Sequence, residues 1–210
     1  MNLPVEVKDR IEQIASTYSL SSLKISAPKL SKRYLQESLN GSFALNTMED
    51  VVAYSLIRMP ATFASISSAL QYGLDFVEDD ISSILDVGSG TGSMVLAANV
   101  ILPKANIACI ERDVNMISFS KEIIEKPNFI NIDITKEIIE HKYDLVSACY
   151  FCNELDEKEM PSVLDKIWNA SNKYILIVEP GTVKSYARMM RIREFFINKG
   201  GYIVAFICLI

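Results

Sequence analysis

The chain has 210 residues, of which 50% are hydrophobic and 22% charged, with a formal net charge of −5. That length suits one domain with an extra lobe around a sizeable core, and the acidic balance argues against nucleic-acid binding by bulk charge, though not against a local basic face. No apolar run approaches the roughly 18 residues a membrane span needs, and the start, "MNLPVEVKDRIEQIAS", has early acids and no apolar core of a secretory signal.

The first part of the chain reads as helical, and residues 1–80 are expected to form a helical N-terminal lobe. Pro4 opens one helix with Val7, Ile11 and Ile14 on one face. Ser31 to Leu39 reads as a second, stopped by Asn40 and Gly41, and Thr47 followed by Asp50 is a capping-type start for a third. Pro60 is expected to break or kink that helix, because it lacks an N–H and restricts Met59. A further helix would then carry Phe63, Ile66 and Leu70.

After Asp80 short apolar runs alternate with helical stretches. Strands are expected at Ser83–Val87, Asn106–Ile110, Asn128–Ile130, Tyr143–Cys149 and Tyr174–Val178. Helices are expected at Thr91–Leu102, Val114–Ile124, Glu157–Ala170 and Val183–Lys199, with Asp113, Asp156 and Thr182 as N-caps. Such alternation implies an α/β fold with a parallel sheet covered on both faces. Residues 81–210 are expected to be this Rossmann-like domain. Gly200 and Gly201 would stop the last helix, and "YIVAFICLI" would add one more apolar strand.

The string "ILDVGSGTG", Ile84 to Gly92, places three of the chain's 8 glycines between a strand and a helix. Glycine tolerates the angles such a turn needs and lets a ligand approach without a Cβ in the way. The following helix offers free N–H groups to an anion. Asp86 ends the strand before the turn, and Glu111 ends the next one. In a doubly wound sheet an acid there reaches the ribose hydroxyls of a nucleotide-like ligand. The loop is neither the GxGxxG of a dinucleotide site nor the GK[ST] of a P-loop.

"LDVGSGTG" resembles motif I of the class I S-adenosylmethionine-dependent methyltransferases, and "CIERD" resembles their second motif. The resemblance implies S-adenosylmethionine as cofactor. It implies that Asp86, Gly88, Ser89, Gly90 and Gly92 hold its methionine end, and Glu111 with Arg112 the ribose side. Asp133, in "NIDI", would meet the adenine amine. "AYSLIRMPATFASI", "YDLVSACYFCNEL" and "ILIVEPGT" together resemble the methyltransferase-like family of mitochondrial small-ribosomal-subunit assembly proteins and their bacterial relatives. That implies action on ribosomal RNA or in small-subunit assembly, as a methyltransferase or as a catalytically silent assembly factor. A small-molecule methyltransferase is the other reading. The family's cysteine-rich cluster-binding segment would begin where this sequence stops, so no cluster and no metal is carried over, and the expected location is the cytoplasm.

Asn153 and Glu154, after the fourth strand, are the candidate catalytic residues. A methyl acceptor needs a base only if it must lose a proton. The plainer reading of Glu154 is an acid at a helix start or a structural hydrogen-bond partner. The "CYFCNEL" segment lacks the [DN]PP[YF] of amino-directed enzymes and the Pro-Cys of cytosine C5 enzymes. Cys149 and Cys152 form a CxxC, but Cys109, Cys208 and His141 supply no matching pair for zinc, so the thiols read as reduced packing residues. Lys184, Arg188 and Arg191 share one face of the last helix, and Lys24, Lys29, Lys32 and Arg33 cluster earlier. Each group reads as an RNA contact or as solvated surface. Arg58 is either a contact to the cofactor carboxylate or a structural cap. The sheet is expected to lack the final antiparallel strand usual in this class, which leaves an edge open to self-association through the C-terminal strand.

Overall fold

The computed structural model describes residues 1–19, 23, 45, 47–125 and 128–205. Helix α1, Val5–Ala15, starts behind Pro4 and buries Val7, Ile11 and Ile14. The expected helix at Ser31 to Leu39 lies outside the described residues, as do Lys24, Lys29, Lys32 and Arg33. Helix α2 runs unbroken over Met48–Leu74, with Thr47 accepting the Asp50 N–H as its N-cap.

The unbroken α2 corrects the expected break at Pro60. Pro60 and Leu56, whose carbonyl lies one turn back, are both exposed, so the helix can open towards water on that side. On the other side Val52, Met59, Phe63, Ile66 and Leu70 form one continuous buried stripe. The Thr62 hydroxyl also donates to the carbonyls of Arg58 and Met59 within the affected turn. Burial of that stripe outweighs one missing backbone hydrogen bond.

The remaining elements alternate: β1 Ser83–Val87, α3 Ser93–Ile101, β2 Asn106–Ile110, α4 Val114–Ile123, β3 Asn128–Ile130, β4 Tyr143–Cys149, α5 Met160–Ala170, β5 Ser171–Val178 and α6 Val183–Asn198. All four strand pairings are parallel, in the order β3-β2-β1-β4-β5. Leu85 and Val87 of β1 point to the side covered by α5 and α6, while Ile84 points to the side covered by α1, α2, α3 and α4. The first two helices therefore share one core with the sheet. Period-2 alternation in the strands and an i, i+3, i+4, i+7 stripe in α5 (Met160, Val163, Leu164, Ile167) make the two cores.

Asp113 and Thr182 cap α4 and α6 as expected. Asp156 instead closes a turn ahead of α5, accepting the Lys158 N–H. Gly200, at φ +92, ends α6, and the Gly201 N–H returns to the Phe196 carbonyl. Residues 201–205 form no strand, and 206–210 lie outside the described residues. Among the described residues β5 has no neighbour on its outer side.

Candidate functional site

The strand order reverses between β1 and β4, beside the crevice at their C-terminal ends. Open α/β sheets place ligands at that crevice. A cleft of about 340 Å³ opens at this point, lined by the β1 and β4 loops and the ends of β2 and β3.

Gly88, Gly90 and Gly92 take φ values of +67, +53 and +87, the left-handed region that glycine enters without a Cβ penalty. The turn is pinned from outside. The N–H groups of Gly88 and Ser89 donate to the Ile110 carbonyl, and that of Gly90 to Glu111 Oε2 at 2.8 Å. A Cβ on Gly88 would lie 2.2 Å from the Phe151 ring, and one on Gly92 2.2 Å from Ile124. At Gly90 the nearest such atom is Met116 Sδ at 3.6 Å, an ordinary contact, so a Cβ there would clash with no protein atom.

Glu111 is buried at the end of β2. Its Oε1 accepts the N–H groups of Arg112 and Asp113, both at 2.8 Å, and its Oε2 accepts Gly90. Burial nonetheless holds its pKa above the usual carboxylate range, against those three hydrogen bonds. Asp86 is fully buried on β1. Its Oδ1 accepts the Ser147 hydroxyl at 2.7 Å, and its Oδ2 has no partner among the described residues. Burial pushes Asp86 up to about 7, opposed by the Ser147 bond and helped by the Glu111 charge. Ser89 Oγ is likewise buried without a partner. Asp133 lines the cleft, accepts from the Thr135 N–H and hydroxyl, and pairs with Lys136 at 3.2 Å. Burial works to raise its pKa, but these bonds outweigh it and hold it low.

The structure thus brings Asp86, Gly88, Ser89, Gly90, Glu111, Arg112 and Asp133 to one cleft. Gly92 sits just behind it as the N-cap of α3. Glu154 also lines the cleft, whereas Asn153 is buried beside it. Arg58 does not line the cleft; it is half-buried near Tyr150, whose phenol it lowers against the larger effect of burial.

The segment after β4 holds what the sequence did not disclose. Tyr150 adopts φ +58, the left-handed region that favours glycine. It is held by its N–H to the Val178 carbonyl at 2.6 Å and by its hydroxyl to Ser65 Oγ at 2.7 Å. Glu154 is half-buried; burial first, then the charges of Glu111 and Glu179, push it up to about 8 against Arg112. Glu179, after β5, is pushed by burial to about 8 as well. The Cys152 and Asn153 N–H groups lower it in part, and its two buried oxygens have no hydrogen-bond partner of ordinary geometry among the described residues. Nothing in "EPGT" marked that acid as buried; only the pairing of β5 with β4 puts it there.

Cys109, Cys149 and Cys152 are free thiols. Burial raises Cys149 and Cys152 well above the ordinary thiol, with further push from nearby carboxylates, so both stay protonated and poorly nucleophilic. Among the described residues no group of His, Cys, Asp or Glu is placed to hold a metal.

Arg188 is a correction. It is 4% exposed, donates to the carbonyls of Cys152 (2.5 Å) and Leu155, and pairs with Glu157 at 2.9 Å. Arg191 pairs with the same carboxylate. The expected basic face is in part an internal clamp on the β4 loop, so Arg188 cannot meet RNA. No helix among the described residues is long and apolar enough to cross a membrane.

A family model described as mitochondrial small ribosomal subunit Rsm22 matches residues 48–208. A putative methyltransferase, 235L, of Invertebrate iridescent virus 6 is 30% identical over 70 residues, covering 33% of this chain and 26% of the viral protein. The fold is similar to the plantazolicin methyltransferase BpumL in complex with SAH (TM-score 0.59, 20% identity, 80% of this chain and 66% of that one). It is also similar to the sugar N-methyltransferase KedS8 from Streptoalloteichus (TM-score 0.53, 14% identity, 69% and 58%). The chain thus matches about a quarter of the viral relative and about two thirds of BpumL. These likenesses show a class I methyltransferase fold.

Proposed function

This chain belongs to the mitochondrial small ribosomal subunit Rsm22 family, and from that premise we propose that it binds S-adenosylmethionine in the β1/β4 cleft and works as a methyltransferase-like protein of the small ribosomal subunit. The observation that carries the reading is the left-handed glycine turn tied to Glu111 at the mouth of an acid-lined cleft. Six carboxyls and one guanidinium, Arg112, line it. That set is rich in acceptors for the hydroxyl and amino donors of such a cofactor.

The residues fit the cofactor. Asp86 Oδ2 and Ser89 Oγ, both orphaned and buried, would take its amino and carboxyl ends after a small shift. Gly90 leaves its space to the ligand. Glu111 would receive the ribose hydroxyls at Oε2, whose second lone pair is unused, since Oε1 already holds two N–H groups. Asp133 would reach the adenine amine, and Arg112 lies along the same wall. The cofactor supplies an activated methyl group, so the chain's own task is to orient the acceptor and, where needed, take a proton. Asn153 and Glu154 are the candidates for that side.

Calorimetry with S-adenosylmethionine and S-adenosylhomocysteine tests the cofactor. Saturable binding of both, lost in Gly90→Ala, is the expected result; no binding overturns the reading. Co-sedimentation with small subunits tests the ribosomal context. The second reading, a silent assembly factor, is favoured if the chain co-sediments and binds the cofactor yet transfers no methyl group.

A further inference from the structure

We propose that the ring of Tyr150 recognises the sulfonium of S-adenosylmethionine, an inference that rests on the cofactor reading above. The anchors of that reading run across the crevice from β2 to β4. Glu111, which would receive the ribose, stands at the end of β2 and is tied to the β1 turn through Gly90. Asp86, which would take the amino end, leans towards β4, because its Oδ1 accepts the Ser147 hydroxyl while its Oδ2 is buried without a partner among the described residues. The sulfur of the cofactor joins the ribose to the methionine side chain, so its positive charge falls between these two anchors. Tyr150 comes directly after β4, in the same strand end as Ser147, and lines the cleft on that side.

The aromatic residues that line the cleft are Tyr54, Tyr150 and Phe151. The Phe151 ring is taken up by the glycine turn, since a Cβ on Gly88 would lie 2.2 to 3.0 Å from its carbons. Tyr54 stands on α2, in the same helix face as Thr62. Tyr150 is fixed at both ends. Its N–H donates to the Val178 carbonyl at 2.6 Å, and its hydroxyl lies 2.7 Å from Ser65 Oγ. Ser65 gives its own proton to the Thr62 carbonyl, so the tyrosine is the donor of that pair. The ring therefore bridges the end of β4 and α2. Tyr150 also lines the long groove beside β5, with Leu176 and Val178, and so forms the partition between groove and cleft. Its φ of +58 is an angle that glycine meets without a Cβ penalty. A tyrosine persists in it only where the surroundings fix it, and these two anchors do so. A ring also suits the chemistry. Its face attracts a cation, yet it brings no anionic atom to which the activated methyl group could pass.

The test uses the full chain and calorimetry with S-adenosylmethionine and S-adenosylhomocysteine, which differ by the methyl group and the positive charge on sulfur. Tyr150→Gly deletes the ring and suits the backbone angle, and a melting curve shows that it is folded. It should weaken S-adenosylmethionine relative to S-adenosylhomocysteine by about 3- to 30-fold. Tyr150→Phe keeps the ring and should hold that ratio within about twofold of the wild type, and Tyr54→Leu should leave the ratio unchanged. A second readout needs no variant. With an isotope-labelled methyl group on the cofactor, the bound methyl resonance of the wild type should lie upfield of its free position, as expected over the face of a ring. Equal weakening of both ligands in Tyr150→Gly, a ratio that falls in Tyr54→Leu instead, or a bound methyl signal with no upfield displacement overturns the inference. Failure of the wild type to bind either ligand overturns the cofactor reading instead.

Discussion

Two loops leave neighbouring parallel strands at the same end of the sheet, and they are built in opposite ways. The β1 loop puts its left-handed angles on Gly88, Gly90 and Gly92, and satisfies its N–H groups through Ile110 and Glu111. The β4 loop puts a left-handed angle on Tyr150 and carries the half-buried Glu154, close in charge to Glu179 after β5, whose two carboxyl oxygens are buried without a hydrogen-bond partner among the described residues. A non-glycine residue there costs about 1–2 kcal/mol. The first loop is relaxed and preformed; the second is held in place by its surroundings. A cofactor cradle gains from rigidity, whereas backbone strain is tolerated where an acceptor must be gripped and released.

If the contrast is right, the β1 loop should be intolerant of any Cβ that meets protein. Gly88→Ala combines a φ of +67 with a Cβ 2.2 Å from Phe151. It is expected to cost about 2–4 kcal/mol in chemical denaturation and to abolish cofactor binding. Gly90→Ala meets only ordinary contacts, so it should cost only about 1 kcal/mol of stability and still lose the cofactor. Equal destabilisation by both would remove the distinction between packing glycine and ligand glycine.

The β4 loop should depend on its clamp. Arg188→Leu strips partners from the Cys152 carbonyl and from Glu157 and is expected to cost about 2–4 kcal/mol. Arg191→Leu removes an exposed arm of the same ion pair and should cost under about 1 kcal/mol. Thermal melts of the two variants measure the difference, and equal losses would show that the loop does not need its buried anchor.

Glu111→Ala probes the link between the loops' shared cleft and the ligand. A charged hydrogen bond of this kind is worth roughly 1.5–3 kcal/mol, so S-adenosylmethionine should bind about 10- to 150-fold more weakly. An unchanged dissociation constant in the folded variant would leave Glu111 a purely structural tie for Gly90.

The loops should also differ in pH response. Asp86, Glu154 and Glu179 are raised to about 7, 8 and 8. Each keeps its proton in the folded chain at pH values where the unfolded chain has lost it. Stability therefore falls as pH rises from the ordinary carboxylate range to about 8, then levels off. Asp144, lowered to about 2 by its bonds to Ser82, acts oppositely and only below the ordinary carboxylate range. Melting curves from pH 5 to 9 should show the decline, and Glu154→Gln should flatten its upper part while Gly90→Ala leaves it unchanged.

The smallest effect expected is at the outer side of β5, where Tyr202, Ile203 and Val204 are exposed nearby. Weak concentration-dependent self-association in light scattering would follow from that edge. A constant mass would show the edge is protected.

The sequence by itself determined the strands, the capped helices, the parallel α/β class and the β1 loop, because each rests on local signals. Alternating apolar runs, Asp113 and Thr182 at N-caps and three glycines near one acid act within a few residues of themselves. Tertiary structure decided the rest. Pro60 sits inside a continuous helix because the stripe from Val52 to Leu70 is buried, chiefly against α1, α3 and α4. Arg188 reads as one of a solvated row, yet it turns inward because Glu157 and two carbonyls meet it across the β4 loop. Glu154 and Glu179 lie in separate segments, and only the pairing of β4 with β5 brings the Glu179 charge close enough to help raise Glu154. Burial and long-range charge depend on which segments meet, and one-dimensional spacing carries no record of that meeting.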